Sequence, residues 1–113
     1  MQQATLDRTF HALADPTRRA MLTLVARRGV CTASELGGGF DIAQPTASKH
    51  LRVLEEAGLL ARRIEGRAHR FRLVTTRLDE AERWIARHQA FWQGTLSRLA
   101  DVLHAMDQGS RGR

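Results

Sequence analysis

Gln44-Pro-Thr-Ala-Ser-Lys-His-Leu-Arg-Val-Leu-Glu-Glu-Ala-Gly58 is the stretch whose reading decides the fold. Pro45 suits the start of a helix and Gly58 its end, so the residues between them read as one helix running to about Ala57. At about 100° per residue, Ala43, Ala47, Leu51 and Leu54 share one arc, and Gln44, Pro45, Ser48, Lys49 and Arg52 lie on roughly the opposite one. No acid enters the polar arc before Glu55 and Glu56. Such a helix can dock by its apolar arc and offer donors and small polar groups to base edges without repelling phosphate.

The flanking sequence supplies a frame for that helix. Leu6, Phe10 and Leu13 recur at helical spacing. Asp15-Pro16 then caps and opens a second helix, which carries Met21, Leu22, Leu24 and Val25 inward and ends at Arg27-Arg28-Gly29. Thr32-Ala-Ser-Glu35 is a capping box that starts a short third helix. Gly37-Gly-Gly39 is expected to break it, with Phe40 and Ile42 as apolar anchors around the turn. Beyond Gly58, Leu59–Ile64 and Arg70–Val74 read as two strands joined by the loop Glu65-Gly-Arg-Ala-His69. A helix without proline then runs from Leu78 to about Met106. The fold class is therefore mostly α with a small β-hairpin: a winged helix-turn-helix of five helices, in which the helix after the turn enters the major groove.

The 113 residues fit one domain, expected over 1–107, followed by a disordered tail at 108–113. Net charge is +6, and Lys49 is the sole lysine among 18 basic residues. This balance favours a polyanionic partner, because neutralising phosphate releases condensed counterions. Met1-Gln-Gln-Ala-Thr5 lacks the features of a signal peptide, and no apolar run is long enough to span a bilayer, so a cytoplasmic protein without membrane contact is expected. Cys31 is the only cysteine, which excludes an internal disulfide and a thiolate-rich zinc site within one chain.

Candidate base readers are Gln44, Thr46 and Ser48, with Pro45 beside them and Lys49 and Arg52 able to serve bases or phosphates. In the wing, Arg63, Gly66, Arg67, His69 and Arg70 are the candidates, Arg67 being placed to reach a minor groove from a flexible tip. Thr17, Arg18 and Ser34, near helix starts, are candidate phosphate contacts. A solvated basic surface is the plainer alternative for each, and Arg18 and Arg19 can instead pair with acids of their own chain. His50, at the edge of the buried arc, reads as a hydrogen-bonded structural residue. Cys31 can be a redox-active thiol if exposed and a small buried hydrophobe if not.

Leu13-Ala-Asp-Pro-Thr-Arg-Arg19, Ser34-Glu-Leu36, Gln44-Pro-Thr-Ala-Ser-Lys-His-Leu51, Val53-Leu-Glu-Glu-Ala-Gly-Leu59 and Glu65-Gly-Arg67 together resemble the ArsR (ArsR/SmtB) family of bacterial regulators over most of the chain. The resemblance implies a symmetric dimer that represses an inverted-repeat operator in double-stranded DNA and is released by an effector, here unidentified. The family's metal sites do not carry over. Thr32 and Ser34 stand where its paired thiols would be, and Asp79 is followed by Ala81 where a histidine would be. No metal or other cofactor is expected.

The last helix is rich in large apolar residues. Ile85, Trp92, Leu99 and Met106 repeat every seven positions with Leu96 and Leu103 beside them. A twofold interface built from Ile85, Trp92, Leu96, Leu99 and Leu103 with Leu6, Phe10 and Leu13 is expected, and a small-molecule pocket lined by Trp84, Phe91 and Trp92 is the alternative. No nucleophile, base and orienter form a recognisable catalytic signature, so no enzyme is expected. The rival function is a winged helix that serves only as a protein-interaction module.

Overall fold

The computed structural model describes residues 2–111. They form α1 (Gln2–Leu13), α2 (Pro16–Arg28), β1 (Val30–Thr32), α3 (Ala33–Gly38), α4 (Gln44–Glu56), β2 (Leu60–Glu65), β3 (Ala68–Leu73) and α5 (Thr76–Arg111). This is the five-helix winged helix-turn-helix expected from the sequence. The chain divides into two compact units, one up to Ala81 and one from Glu82 onward.

Local chemistry sets most boundaries in the first unit. The Asp15 carboxylate accepts from the Arg18 amide at 3.0 Å and caps α2. At the other end Gly29 adopts φ +84° and donates its amide to the Val25 carbonyl. Thr32 and Glu35 close the capping box of α3: the Glu35 amide donates to Thr32 Oγ1 at 3.1 Å, and the Thr32 amide donates to the Glu35 carboxylate. Gly37 and Gly38 form the last turn of α3 rather than breaking it, and Gly39 takes the C-cap. Ala43, expected on the buried arc of α4, is its exposed N-cap.

The sheet is larger than the expected hairpin. Its order is β1-β3-β2, all antiparallel, with Cys31 opposite Phe71 and Arg62 opposite Phe71 on the other side. The wing loop is shorter than expected: β2 extends through Glu65 and β3 begins at Ala68, leaving Gly66 and Arg67 between them. Gly66 at φ +60° makes so tight a reversal accessible.

Met21, Val25, Cys31, Leu36, Leu54, Leu59 and Phe71 are all at most 1% exposed and form the heart of the core. Leu13, Leu24, Phe40, Ile42 and Val53 are half-buried around it. Ala47, Leu51 and Leu54 bury the apolar arc of α4 in this core, which fixes the opposite arc outward.

The second unit is the helical segment from Glu82. Ile85, Phe91, Trp92, Leu96, Leu99, Val102, Leu103 and Met106 are each about half exposed or more in the single chain. Helix α5 continues through Arg111. Once a helix is running, each added residue gains a hydrogen bond without a new nucleation cost. Gly112 and Arg113 lie outside the described residues.

Candidate nucleic-acid interface

Gln44, Pro45, Thr46, Ser48, Lys49 and Arg52 are all exposed on α4. Among the described residues, no hydrogen bond or ion pair occupies the side chains of Lys49, Arg52 or Arg67. The acids of α4 stand at its far end, where Glu55 is bound by the Arg62 guanidinium. The outward arc therefore meets a ligand with its cations uncommitted and with no carboxylate in its first two turns. Between α3 and α4 lies a groove of about 330 Å³ lined by small residues, among them Ala33, Ser34, Gly37 and Ala47, with Gln44 and Ser48 at the recognition-helix side.

The wing is less free than its composition suggests. Arg63 and Arg70 face each other across β2 and β3, and both lean on Glu65, at 3.2 and 3.1 Å. That carboxylate relieves what would be a like-charge cross-strand pair. His69 is half-buried, with Nδ1 3.1 Å from Arg62. Arg62 stacks over the Phe71 ring, 5.0 Å from its centroid, besides holding Glu55. Arg67 at the tip is the one wing arginine of the candidate set outside these pairs.

The candidate phosphate contacts separate. Ser34 and Thr17 lie in the first turns of α3 and α2, Ser34 exposed and Thr17 half-buried. The Arg18 guanidinium is engaged within the chain. Its Nε donates to the Ala12 carbonyl at 2.8 Å, its Nη2 to the His11 carbonyl at 2.9 Å, and its Nη1 faces His50 Nδ1 at 3.3 Å. Arg19 adds a bond to the Leu13 carbonyl at 2.7 Å. The last carbonyls of a helix lack partners within it, so these two arginines close α1 from α2 rather than pairing with acids. Sequence reading missed this role, and the only local signal was a pair of arginines one turn after a helix break.

Cys31 is fully buried on β1, and burial pushes its thiol up. The helix start beside it does not lower it as exposure would have allowed, and the buried thiol sits where a small core hydrophobe would. Asp15 is held below the usual carboxylate range by the Arg18 amide first, with the charge of Arg18 and the Thr17 amide adding to this. Glu35 is held down by the Thr32 hydroxyl and amide first, then by Arg28 at 3.1 Å. Thr32 is thus committed to capping α3. Among the described residues, no three His, Cys, Asp or Glu side chains gather to hold a metal ion, and no helix is long and apolar enough to cross a membrane.

A family model described as a helix-turn-helix domain matches residues 13–63, the part of the chain from the end of α1 into β2. The transcriptional repressor SdpR of Bacillus subtilis (strain 168) is 32% identical over 80 residues, spanning 71% of this chain and 88% of the relative. A crystal structure of an ArsR family transcriptional regulator superposes with a TM-score of 0.75 at 37% identity, over 80% of this chain and 93% of that one. The chain belongs to the ArsR family of transcriptional regulators. A further neighbour, the homodimeric winged helix-turn-helix DNA-binding domain of a Mycobacterium bovis protein, has a TM-score of 0.60 at 25% identity, with 85% of each chain covered.

Proposed function

We propose that this ArsR-family regulator is a homodimeric repressor that binds an inverted-repeat operator in double-stranded DNA, in the cytoplasm, through α4 and the wing. The observation that carries the reading is α4 itself: a buried apolar arc of Ala47, Leu51 and Leu54 behind an exposed, acid-free arc of Gln44, Ser48, Lys49 and Arg52. In this reading Gln44, Thr46 and Ser48 meet base edges, Lys49 and Arg52 meet bases or phosphates, Arg67 enters the adjacent minor groove, and Ser34 and Thr17 meet phosphates.

The dimer is supported by the homodimeric relative and by the apolar face of α5. Removing Ile85, Trp92, Leu96, Leu99 and Leu103 fully from water would contribute about 1.5–3 kcal/mol each, too much apolar surface for a monomer to leave wet. Leu6 and Phe10 of α1, both half-buried, are proposed to meet the partner as well, while Leu13 already spends part of its surface on the protomer's own core. Release by an effector belongs to the proposal as the family resemblance implies it.

Selection of bound sequences from a random duplex pool tests the whole reading. A short inverted repeat should emerge, bound with steep salt dependence. Equal affinity for all duplexes would refute the repressor, and no duplex binding would leave the protein-interaction module in its place.

A further inference from the structure

His50 sits in the middle of α4, next to Lys49, yet its side chain is only 14% exposed and does not share the outward arc. Its Nδ1 lies 3.3 Å from Arg18 Nη1, and its Nε2 lies 3.9 Å from Asp15 Oδ2. A guanidinium has donors only, so Nδ1 accepts, and the proton of the neutral ring is on Nε2, directed toward the Asp15 carboxylate. Asp15 and Arg18 are themselves fixed. Asp15 caps α2, and Arg18 spends its other nitrogens on the Ala12 and His11 carbonyls of α1. One guanidinium thus ties the end of α1, the start of α2 and the middle of α4 to a common point.

Apart from this point and the Arg62–Glu55 ion pair at its far end, the attachment of α4 is apolar and rests on Ala47, Leu51 and Leu54. Apolar burial sets the distance between packed elements but has little directional preference, and alanine gives little shape to key against. A hydrogen bond has both a distance and an angle. On a helix whose side chains reach about 5–6 Å from the axis, a roll of about 15° displaces their tips by roughly 1.5 Å, enough to spoil a bidentate contact with a base.

We infer that His50 is a positioning residue for sequence reading: its bond from Arg18 fixes the roll of α4 about its own axis and so aims Ser48, Lys49 and Arg52 at the base edges. The inference rests on the reading of α4 as the groove helix. It makes His50 responsible for discrimination between sequences and not for general attraction to DNA.

The test compares wild type, His50→Ala, His50→Asn and His50→Gln on the duplex selected by the wild-type dimer and on a scrambled duplex, across a salt series, with thermal unfolding followed alongside. Asn offers an acceptor close to the place of Nδ1, whereas Gln places its amide farther out. His50→Ala should weaken the selected duplex about tenfold, leaving the scrambled duplex and the salt slope unchanged. His50→Asn should restore most of the loss and His50→Gln little of it. In an Arg18→Ala background, His50→Ala should cost nothing more. Equal losses on both duplexes with a flatter salt slope would make His50 a phosphate contact. A lowered unfolding temperature with unchanged discrimination would make it merely structural. Either result overturns the inference, as does equal behaviour of His50→Asn and His50→Gln should His50→Ala fail to fold. A wild-type protein that does not discriminate the two duplexes removes the groove reading itself, and this inference with it.

Discussion

Glu65→Gln should make the protein bind DNA more tightly while making it slightly less stable. In the free wing Glu65 holds Arg63 at 3.2 Å and Arg70 at 3.1 Å, and the two arginines face each other across the hairpin. For either guanidinium to meet a phosphate it must leave a carboxylate whose own charge the phosphate repels. Exposed ion pairs of this kind are worth about 0.2–1 kcal/mol each. With two per wing and two wings in a dimer, releasing them is worth about 0.8–4 kcal/mol, at least about fourfold in the dissociation constant. Each arginine that then reaches a phosphate steepens the plot of log affinity against log salt by about 0.9, so up to four new contacts change the slope by as much as about 3.6. The gain should be the same on the selected and the scrambled duplex, since phosphate carries no sequence. Fluorescence anisotropy titrations over a salt series would measure affinity and slope, and urea unfolding would register the cost of the unrelieved Arg63–Arg70 pair, about 0.2–1 kcal/mol. An unchanged slope and affinity would refute the reasoning, because the wing would then make no phosphate contact for Glu65 to restrain.

Three further outcomes follow from the geometry. Thr32→Ala removes the hydroxyl that accepts from the Glu35 amide and should cost about 1 kcal/mol in urea unfolding. Asp15 and Glu35 have folded pKa values below their unfolded ones, so their stabilisation is present above about pH 4 and is lost as pH falls through the folded values. Asp15→Asn and Glu35→Gln should each flatten the acid limb of a stability profile, and an unaltered limb would show that these bonds do not form in solution. Trp92→Asp or Leu99→Asp should yield monomer or unfolded protein in sedimentation, whereas an unchanged dimer would show that copies pair elsewhere.

The helix boundaries were legible because their causes are local. Asp15 three residues before the Arg18 amide, Thr32 three before Glu35, and glycines at 29 and 58 carry the stop and start signals in the chain itself. The arc of α4 was legible for the same reason, apart from Ala43 at its edge. Strand β1 was not: Val30-Cys-Thr32 has the β-branched flanks of a strand, but three residues are too few for a period, and their partners lie far along the chain at Arg70, Phe71 and Arg72. The fates of individual arginines were hidden too. Arg18, Arg62 and Arg67 are alike in sequence. One closes a helix, one bridges an acid and an aromatic ring, and one stays uncommitted, according to which carbonyls and carboxylates the tertiary fold brings near. A count of basic residues therefore overstates how many cations the surface has to offer.

Arg62 has a consequence for how operators can vary. It joins Glu55 at the end of α4 to His69 and Phe71 in the hairpin, so the major-groove reader and the wing share one brace. The spacing between the bases one of them inspects and the stretch the other touches is then a property of the protein, like the gap between the jaws of a fixed caliper. Inserting a base pair between those two parts of a half-site should penalise binding as severely as mutating either part, and a second substitution in the displaced part should add little.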